Sequence, residues 1–171
     1  MQETQVFLLV EDNDNDALLL KRAFARGNLV NPLHILTTGE QALEYLKGTG
    51  PFSNRKEYPL PSVMLLDLNL PGMSGFDVLH WIRAQPELSR LRVIVLTSSE
   101  SIHDVNQAYR LGANSFLIKP MDLEHLCRMT EALSGYWIWM DNAPQVSRPS
   151  LKVSLPSQQP LQLAKRGEQP G

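Results

Sequence analysis

The sequence predicts an α/β protein built on a five-stranded, doubly wound parallel sheet with five helices. Three observations predict it. Short apolar runs rich in leucine and β-branched residues recur five times along the chain. Segments with helical apolar spacing separate them. The first, third and fourth runs are continuously apolar, as strands buried on both faces must be.

Each element has its own signal. Val6–Val10 predicts a buried strand, and Asp14 to Arg26 a helix with Ala17, Leu20 and Phe24 on one face and Gly27 as its stop. Leu33–Thr37 predicts the second strand, and Glu40 to Lys47 a helix that buries Ala42, Leu43 and Leu46. A Gly/Pro-rich loop, Gly48 to Pro61, leads to a third strand at Ser62–Leu66. Gly75 to Arg83 predicts a helix turning Phe76, Leu79 and Ile82 inward. Val93–Leu96 is the fourth strand, Ser101 to Leu111 a helix ended by Gly112, and Phe116–Ile118 a short fifth strand. Leu123 to about Trp139 predicts the last helix, with Leu123, Leu126, Leu133 and Trp137 along one side.

A chain of 171 residues with 43% apolar content fits one soluble domain with a substantial core, expected at residues 1–142. Residues 143–171 are rich in Pro, Gln and Ser without apolar periodicity. That composition predicts a disordered tail, too short for a DNA-binding module, so no separate output domain is expected. The net charge of −2 argues against nucleic acid as a partner. Cys127 is the one cysteine, which excludes an internal disulfide and a thiolate metal cluster. Val6–Val10 is too short for a signal-peptide core or a membrane span, so a cytoplasmic protein with no membrane contact is expected. The four histidines show no metal-ligand spacing.

Ligands of open parallel sheets sit beyond the carboxyl ends of the strands. Here the first strand ends in Glu11 and Asp12, the third in Asp67, the fourth in Thr97 and the fifth in Lys119. A single acid after a strand often only caps the next helix; three acids, a hydroxyl and an amine from four strands point to chemistry. Two carboxylates about 4 Å apart repel by roughly 4 kcal/mol at an effective dielectric near 20. A cation must therefore sit among three of them, and an all-oxygen donor set suits Mg²⁺. Asp67 can attack a phosphoryl group as a nucleophile. Lys119 and the Thr97 hydroxyl can then hold the phosphoryl oxygens beside the metal ion.

The segments Leu8-Leu9-Val10-Glu11-Asp12, Leu65-Leu66-Asp67-Leu68-Asn69-Leu70-Pro71, Val95-Leu96-Thr97-Ser98-Ser99 and Phe116-Leu117-Ile118-Lys119-Pro120 resemble the receiver domains of two-component response regulators, over about Val6 to Leu133. The resemblance implies a flavodoxin-like sheet of order 2-1-3-4-5. It implies a phosphoacceptor at Asp67, loaded from the phosphohistidine of a sensor histidine kinase or phosphotransfer protein. It implies Mg²⁺ bound by Asp12, Asp67 and the Asn69 backbone carbonyl, with Glu11 acting indirectly. Thr97 and Lys119 would bind phosphate, Thr97 and Phe116 would form the switch pair, and the Lys119–Pro120 peptide would be cis. Leu70 stands where the family often has Met.

A narrower resemblance rests on Glu11 to Asp16, on Asn31-Pro32-Leu33-His34, on the Gly48–Pro61 loop and on the aromatic run Tyr136-Trp137-Ile138-Trp139. These look like single-domain regulators that partner phytochrome-type histidine kinases. So much aromatic surface at a helix end suggests a contact, and Tyr136, Trp137 and Trp139 are expected to contribute to a homodimer. Two alternatives compete with the switch. An aspartate-dependent phosphatase needs a second acid two residues after its nucleophile, and Asn69 stands there instead. A receiver-shaped scaffold without phosphorylation would have lost the acceptor, the lysine or the acid pair, all of which are present.

Overall fold

The computed structural model describes residues 5–27, 29 and 31–141, with side chains as far as residue 135. The predicted tail, 143–171, and the side chains of Tyr136, Trp137 and Trp139 lie outside the described residues, although the backbone of the last helix continues to Asp141. The strands are β1 (Phe7–Val10), β2 (Leu33–Leu36), β3 (Val63–Leu66), β4 (Arg92–Thr97) and β5 (Ser115–Ile118). The helices are α1 (Asp14–Arg26), α2 (Gly39–Lys47), α3 (Gly75–Ala84), α4 (Ile102–Arg110) and α5 (Leu123–Asp141). All strands pair in parallel, in the order β2-β1-β3-β4-β5. No helix among the described residues is long and apolar enough to cross a membrane.

The period-2 geometry of strands sorts the core into two layers. Phe7 and Leu9 of β1, Val63 and Leu65 of β3, and Ile94 and Leu96 of β4 face one way, against Leu20 and Phe24 of α1 and Leu126 of α5. Leu8, Val10, Met64, Leu66, Val93 and Val95 face the other way, against Leu46 of α2 and Val78, Leu79 and Ile82 of α3. The β1, β3 and β4 residues of both layers are at most 2% exposed, as their unbroken apolar character foretold. The alternation of faces within each run is what a sequence of uniformly apolar residues leaves unmarked.

The differences from expectation have local causes. The Thr37 N–H donates to the Gln41 side chain at 2.9 Å instead of extending the β2 ladder. In α2, Leu43 is only half-buried, and Tyr45 takes the deep position. Its ring meets His34, Phe52 and Tyr58 at centroid distances of 5.6, 5.2 and 5.9 Å, and its hydroxyl donates to the Pro59 carbonyl at 3.0 Å. In α3, Phe76 is half-buried and Val78 fully buried. In α5, the polar Thr130 is fully buried because its hydroxyl bonds the carbonyls of Cys127 at 2.8 Å and Ala23 at 3.3 Å, tying α5 to α1.

The long loop after α2 is closed by one side chain. Arg55 donates to the carbonyls of Tyr45 (2.8 Å), Leu46 (2.6 Å) and Tyr58 (3.1 Å). It therefore satisfies orphan carbonyls at the C-terminus of α2, where a cation also meets the negative end of the helix dipole. Gly48, at φ 69°, ends α2 in the left-handed region. A Cβ there would lie 2.5 Å from Arg55 Nε, so the glycine also makes room for the guanidinium. Arg55→Ala removes three charge-assisted bonds and should destabilise the domain by about 2 kcal/mol. Thermal denaturation followed by circular dichroism should show Tm lowered by roughly 5–10 °C.

Candidate functional site

The register sets the site. Val10 pairs with Leu36 on one side and Leu66 on the other, so β1 and β3 end level. The next residues, Glu11 and Asp67, therefore emerge side by side at the point where the winding of the sheet reverses. Their backbones continue the ladder, Glu11 N–H to the Leu36 carbonyl at 2.9 Å and Asp67 N–H to the Val10 carbonyl at 3.1 Å. Thr97 and Ile118 pair at the ends of β4 and β5, and the Lys119 N–H donates to the Thr97 carbonyl at 2.8 Å. Four strands thus deliver their terminal residues to one rim.

Lys119 converges on the acids. Its Nζ lies 2.5 Å from Glu11 Oε2, 2.8 Å from Asp67 Oδ2 and 3.1 Å from Asp16 Oδ2. The lysine, Glu11 and Asp67 side chains are 11%, 3% and 5% exposed, so these contacts form largely out of water. Burial works to lower the Lys119 pKa, but hydrogen bonds and charge from Asp67 and Glu11 outweigh it and hold the amine firmly protonated. Burial raises the Glu11 carboxyl above its ordinary value, against the pull of Lys119 and of the Asn13 N–H, which donates to Glu11 Oε1 at 3.1 Å.

Carboxylate oxygens of Glu11, Asp12 and Asp67 all lie within 4.8 Å of one another. Asp12 is exposed at the mouth of the cluster, while Glu11 and Asp67 are buried. Three hard oxygen donors, one open to water, fit Mg²⁺ with several waters retained. The Asn69 N–H donates to Asp67 Oδ1 at 3.2 Å, which folds the loop after β3 around the acceptor. Gly75 sits at the start of α3, where its N–H donates to the Leu68 carbonyl at 3.0 Å, and a Cβ there would run into the Asp67 carbonyl. Only glycine lets α3 come this close to the acceptor loop.

Thr97 is fully buried, and its hydroxyl accepts from the Ser99 N–H at 3.4 Å. The Ser99 hydroxyl is held by Asp104 of α4 at 2.5 Å. The Phe116 ring is half-buried against the α2/α3 layer, and its N–H donates to the Tyr109 hydroxyl at 3.2 Å. The expected cis Lys119–Pro120 peptide is corrected: no cis peptide occurs among the described residues. A trans X–Pro bond is favoured by about 0.5–1 kcal/mol, and with it Lys119 makes all the contacts above.

The structure therefore brings Glu11, Asp12, Asp67 and Lys119 together, and sets Thr97 at the end of β4 and Asn69 on the loop after β3 beside them. Sequence reasoning missed Asp16, Gly75 and Asp104. Asp16 had a signal, since it lies one turn into α1 on the side of Asp12, but an acid in a first helical turn reads as a dipole partner. Gly75 and Asp104 had none, because only packing reveals what they touch.

The comparisons agree with this geometry. A sequence profile described as the response regulator receiver domain matches residues 7–131. The chain is 39% identical over 142 residues to the probable methanogenesis regulatory protein FilR2 of Methanothrix harundinacea, covering 81% of this chain and 87% of that one. It is 36% identical over 134 residues to the response regulator Rcp1 of Synechocystis sp., covering 78% and 89%. The solved Mn²⁺-bound form of Rcp1 superimposes with a TM-score of 0.71 at 34% identity, covering 82% of this chain and 99% of that one. The phosphorylated cyanobacterial phytochrome response regulator RcpA does so at 0.74 and 30% identity, covering 81% and 96%. With a level β1/β3 edge, an acidic cluster and a lysine facing it, and a profile spanning most of its length, this chain belongs to the response regulator receiver domain family.

Proposed function

We propose that this chain is a phosphorylation switch that accepts a phosphoryl group on Asp67 from the phosphohistidine of a histidine kinase or phosphotransfer protein. The observation that carries the reading is the convergence of the Lys119 ammonium on Asp67 beside the Glu11–Asp12 pair. Asp67 is nearly buried yet sits at the rim, so its carboxylate is sparsely hydrated and fixed for in-line attack. An Asp67 oxygen forms the new O–P bond while the N–P bond of the donor breaks, and the electron pair returns to the histidine nitrogen. Mg²⁺, when bound, neutralises charge on the transferring phosphoryl oxygens. Asp12, Asp67 and the Asn69 carbonyl would hold it, with Glu11 acting indirectly.

The remaining roles follow from position. Lys119 exchanges an acid contact for a phosphoryl oxygen. The Thr97 hydroxyl gives up the Ser99 N–H to do the same, and Phe116, only half-buried, turns with it. The Ser99–Asp104 bond links the loop after β4 to α4, which carries the change to the α4/β5 surface. The chain assists its own phosphorylation and the later hydrolysis, but it turns over no other substrate. Similarity to the cyanobacterial phytochrome response regulator RcpA supports a phytochrome-type kinase as donor, and a cytoplasmic setting is proposed with it.

The same surface supports a homodimer. Ile102 and Tyr109 of α4 and Ile118 of β5 are 72%, 50% and 50% exposed, a large apolar display on adjacent elements. Tyr136, Trp137 and Trp139 are proposed to extend this contact.

Three outcomes test the reading. Acetyl phosphate should label the protein only with Mg²⁺, and Asp67→Asn should abolish the label, read by intact-protein mass spectrometry. Lys119→Ala should cut the labelling rate by at least about tenfold, as loss of one buried charge-assisted contact implies. Sedimentation at high micromolar concentration, with a phosphoryl mimic, should show a dimer that Ile118→Arg reduces to monomer; a wild-type monomer throughout would remove the dimer from the scheme.

A further inference from the structure

An ammonium has three N–H donors and no acceptor. All three of Lys119's are engaged by carboxylates, and the third acid is Asp16 of α1, at 3.1 Å. Asp16 stands apart from the other two. It is not one of the three acids whose oxygens gather within 4.8 Å to hold a metal ion. Its side chain is 40% exposed, against 3% and 5% for Glu11 and Asp67. The placement is built locally. Asn13 caps α1 by accepting from the N–H groups of Asn15 and Asp16 at 3.0 and 3.1 Å. The cap sets the first turn so that the Asp16 carboxylate reaches Lys119 rather than the end of its own helix.

Cations and anions compete for the electrostatics of this rim. Mg²⁺ binding adds two positive charges to a nest of carboxylates, and each negative charge nearby favours it. Converting Asp67 to its acyl phosphate adds negative charge, and each carboxylate nearby opposes it. Glu11 and Asp67 cannot serve as independent controls, since they belong to the metal and phosphoryl chemistry themselves. Among the described residues, the Asp16 carboxylate is ion-paired with the lysine that must receive the phosphoryl group and with no other cation.

We propose that Asp16 is a charge-setting residue of the phosphoacceptor site, which shares the third N–H of Lys119 and so favours the divalent cation while weakening the hold on the phosphoryl group. The proposal rests on the reading of Asp67 as phosphoacceptor. It acts through Lys119 and makes Asp16 a positioning residue rather than a catalytic one. Its signature is a pair of effects of opposite sign, which a merely structural role does not produce: loosening the site weakens both ligands together.

The test uses the full chain, wild type and Asp16→Asn, by isothermal titration calorimetry. Mg²⁺ is titrated alone, and beryllofluoride is then titrated at saturating Mg²⁺. Asn keeps the size and the acceptor oxygen but removes the charge, and the site is solvent-screened on that side. Asp16→Asn should weaken Mg²⁺ binding by about two- to fivefold and tighten beryllofluoride binding by about threefold or more. Asp16→Glu, which restores the charge, should return both towards wild type. A matching circular dichroism melt for each variant checks the fold, and Asp16→Ser repeats the experiment if the amide does not fold. Changes of the same sign, or no change in either affinity, overturn the proposal. Failure of the wild type itself to bind both ligands overturns the phosphoacceptor reading, and this inference with it.

Discussion

Everything at the functional rim depends on one largely shielded ammonium. Without Lys119, Glu11, Asp67 and Asp16 would face each other across a few ångströms, with roughly 4 kcal/mol of repulsion per close pair at a moderate dielectric. With it, three carboxylates share one cation through direct hydrogen bonds. Three carboxylates against one ammonium leave negative charge in excess even before Asp12, open to water at the mouth, is counted.

The sheet makes the arrangement durable. Flush strand ends place Glu11 and Asp67 side by side, and β4 and β5 bring Thr97 and Lys119 to the same rim through a single backbone hydrogen bond between them. None of these positions requires a long or flexible connection. Hydrogen bonds carry the rim's contacts one layer outward. The loop after β4 is tied to α4 through Ser99 and Asp104, and Phe116 is braced by Tyr109. Hydrogen bonds thus join the rim to the α4/β5 surface.

Much of this was readable before any coordinates. The continuous apolar runs around Leu8, Met64 and Ile94 announced central strands, and the residue after each run announced the site. Legibility stopped where contact, not type, decides the outcome. Tyr45 is not among the residues the helical spacing of α2 marks for burial, yet it is the buried hub under the loop, because His34, Phe52 and Tyr58 come from elsewhere in the chain. Thr130 carries no apolar signal and yet is buried, since α1 supplies the carbonyl it needs. Asp16 reads as a helix-start acid, and only the position of Lys119, more than a hundred residues away, makes it a member of the site. The cis Lys119–Pro120 peptide rests on resemblance alone, and among the described residues no cis peptide occurs.

The Arg55 clamp has a consequence for how this protein can diverge. α2 runs back from the carboxyl ends of the strands, so its C-terminus and the clamp lie at the opposite pole of the sheet from Asp67. Three carbonyls gathered by one guanidinium turn the loop's base into a fixed hinge pin, whatever hangs beyond it. Phe52 in that loop is committed to the Tyr45 cage, but its exposed neighbours Pro51 and Ser53 can change side chain with the acidic rim left undisturbed, which gives evolution and the protein engineer the same small plot of open surface.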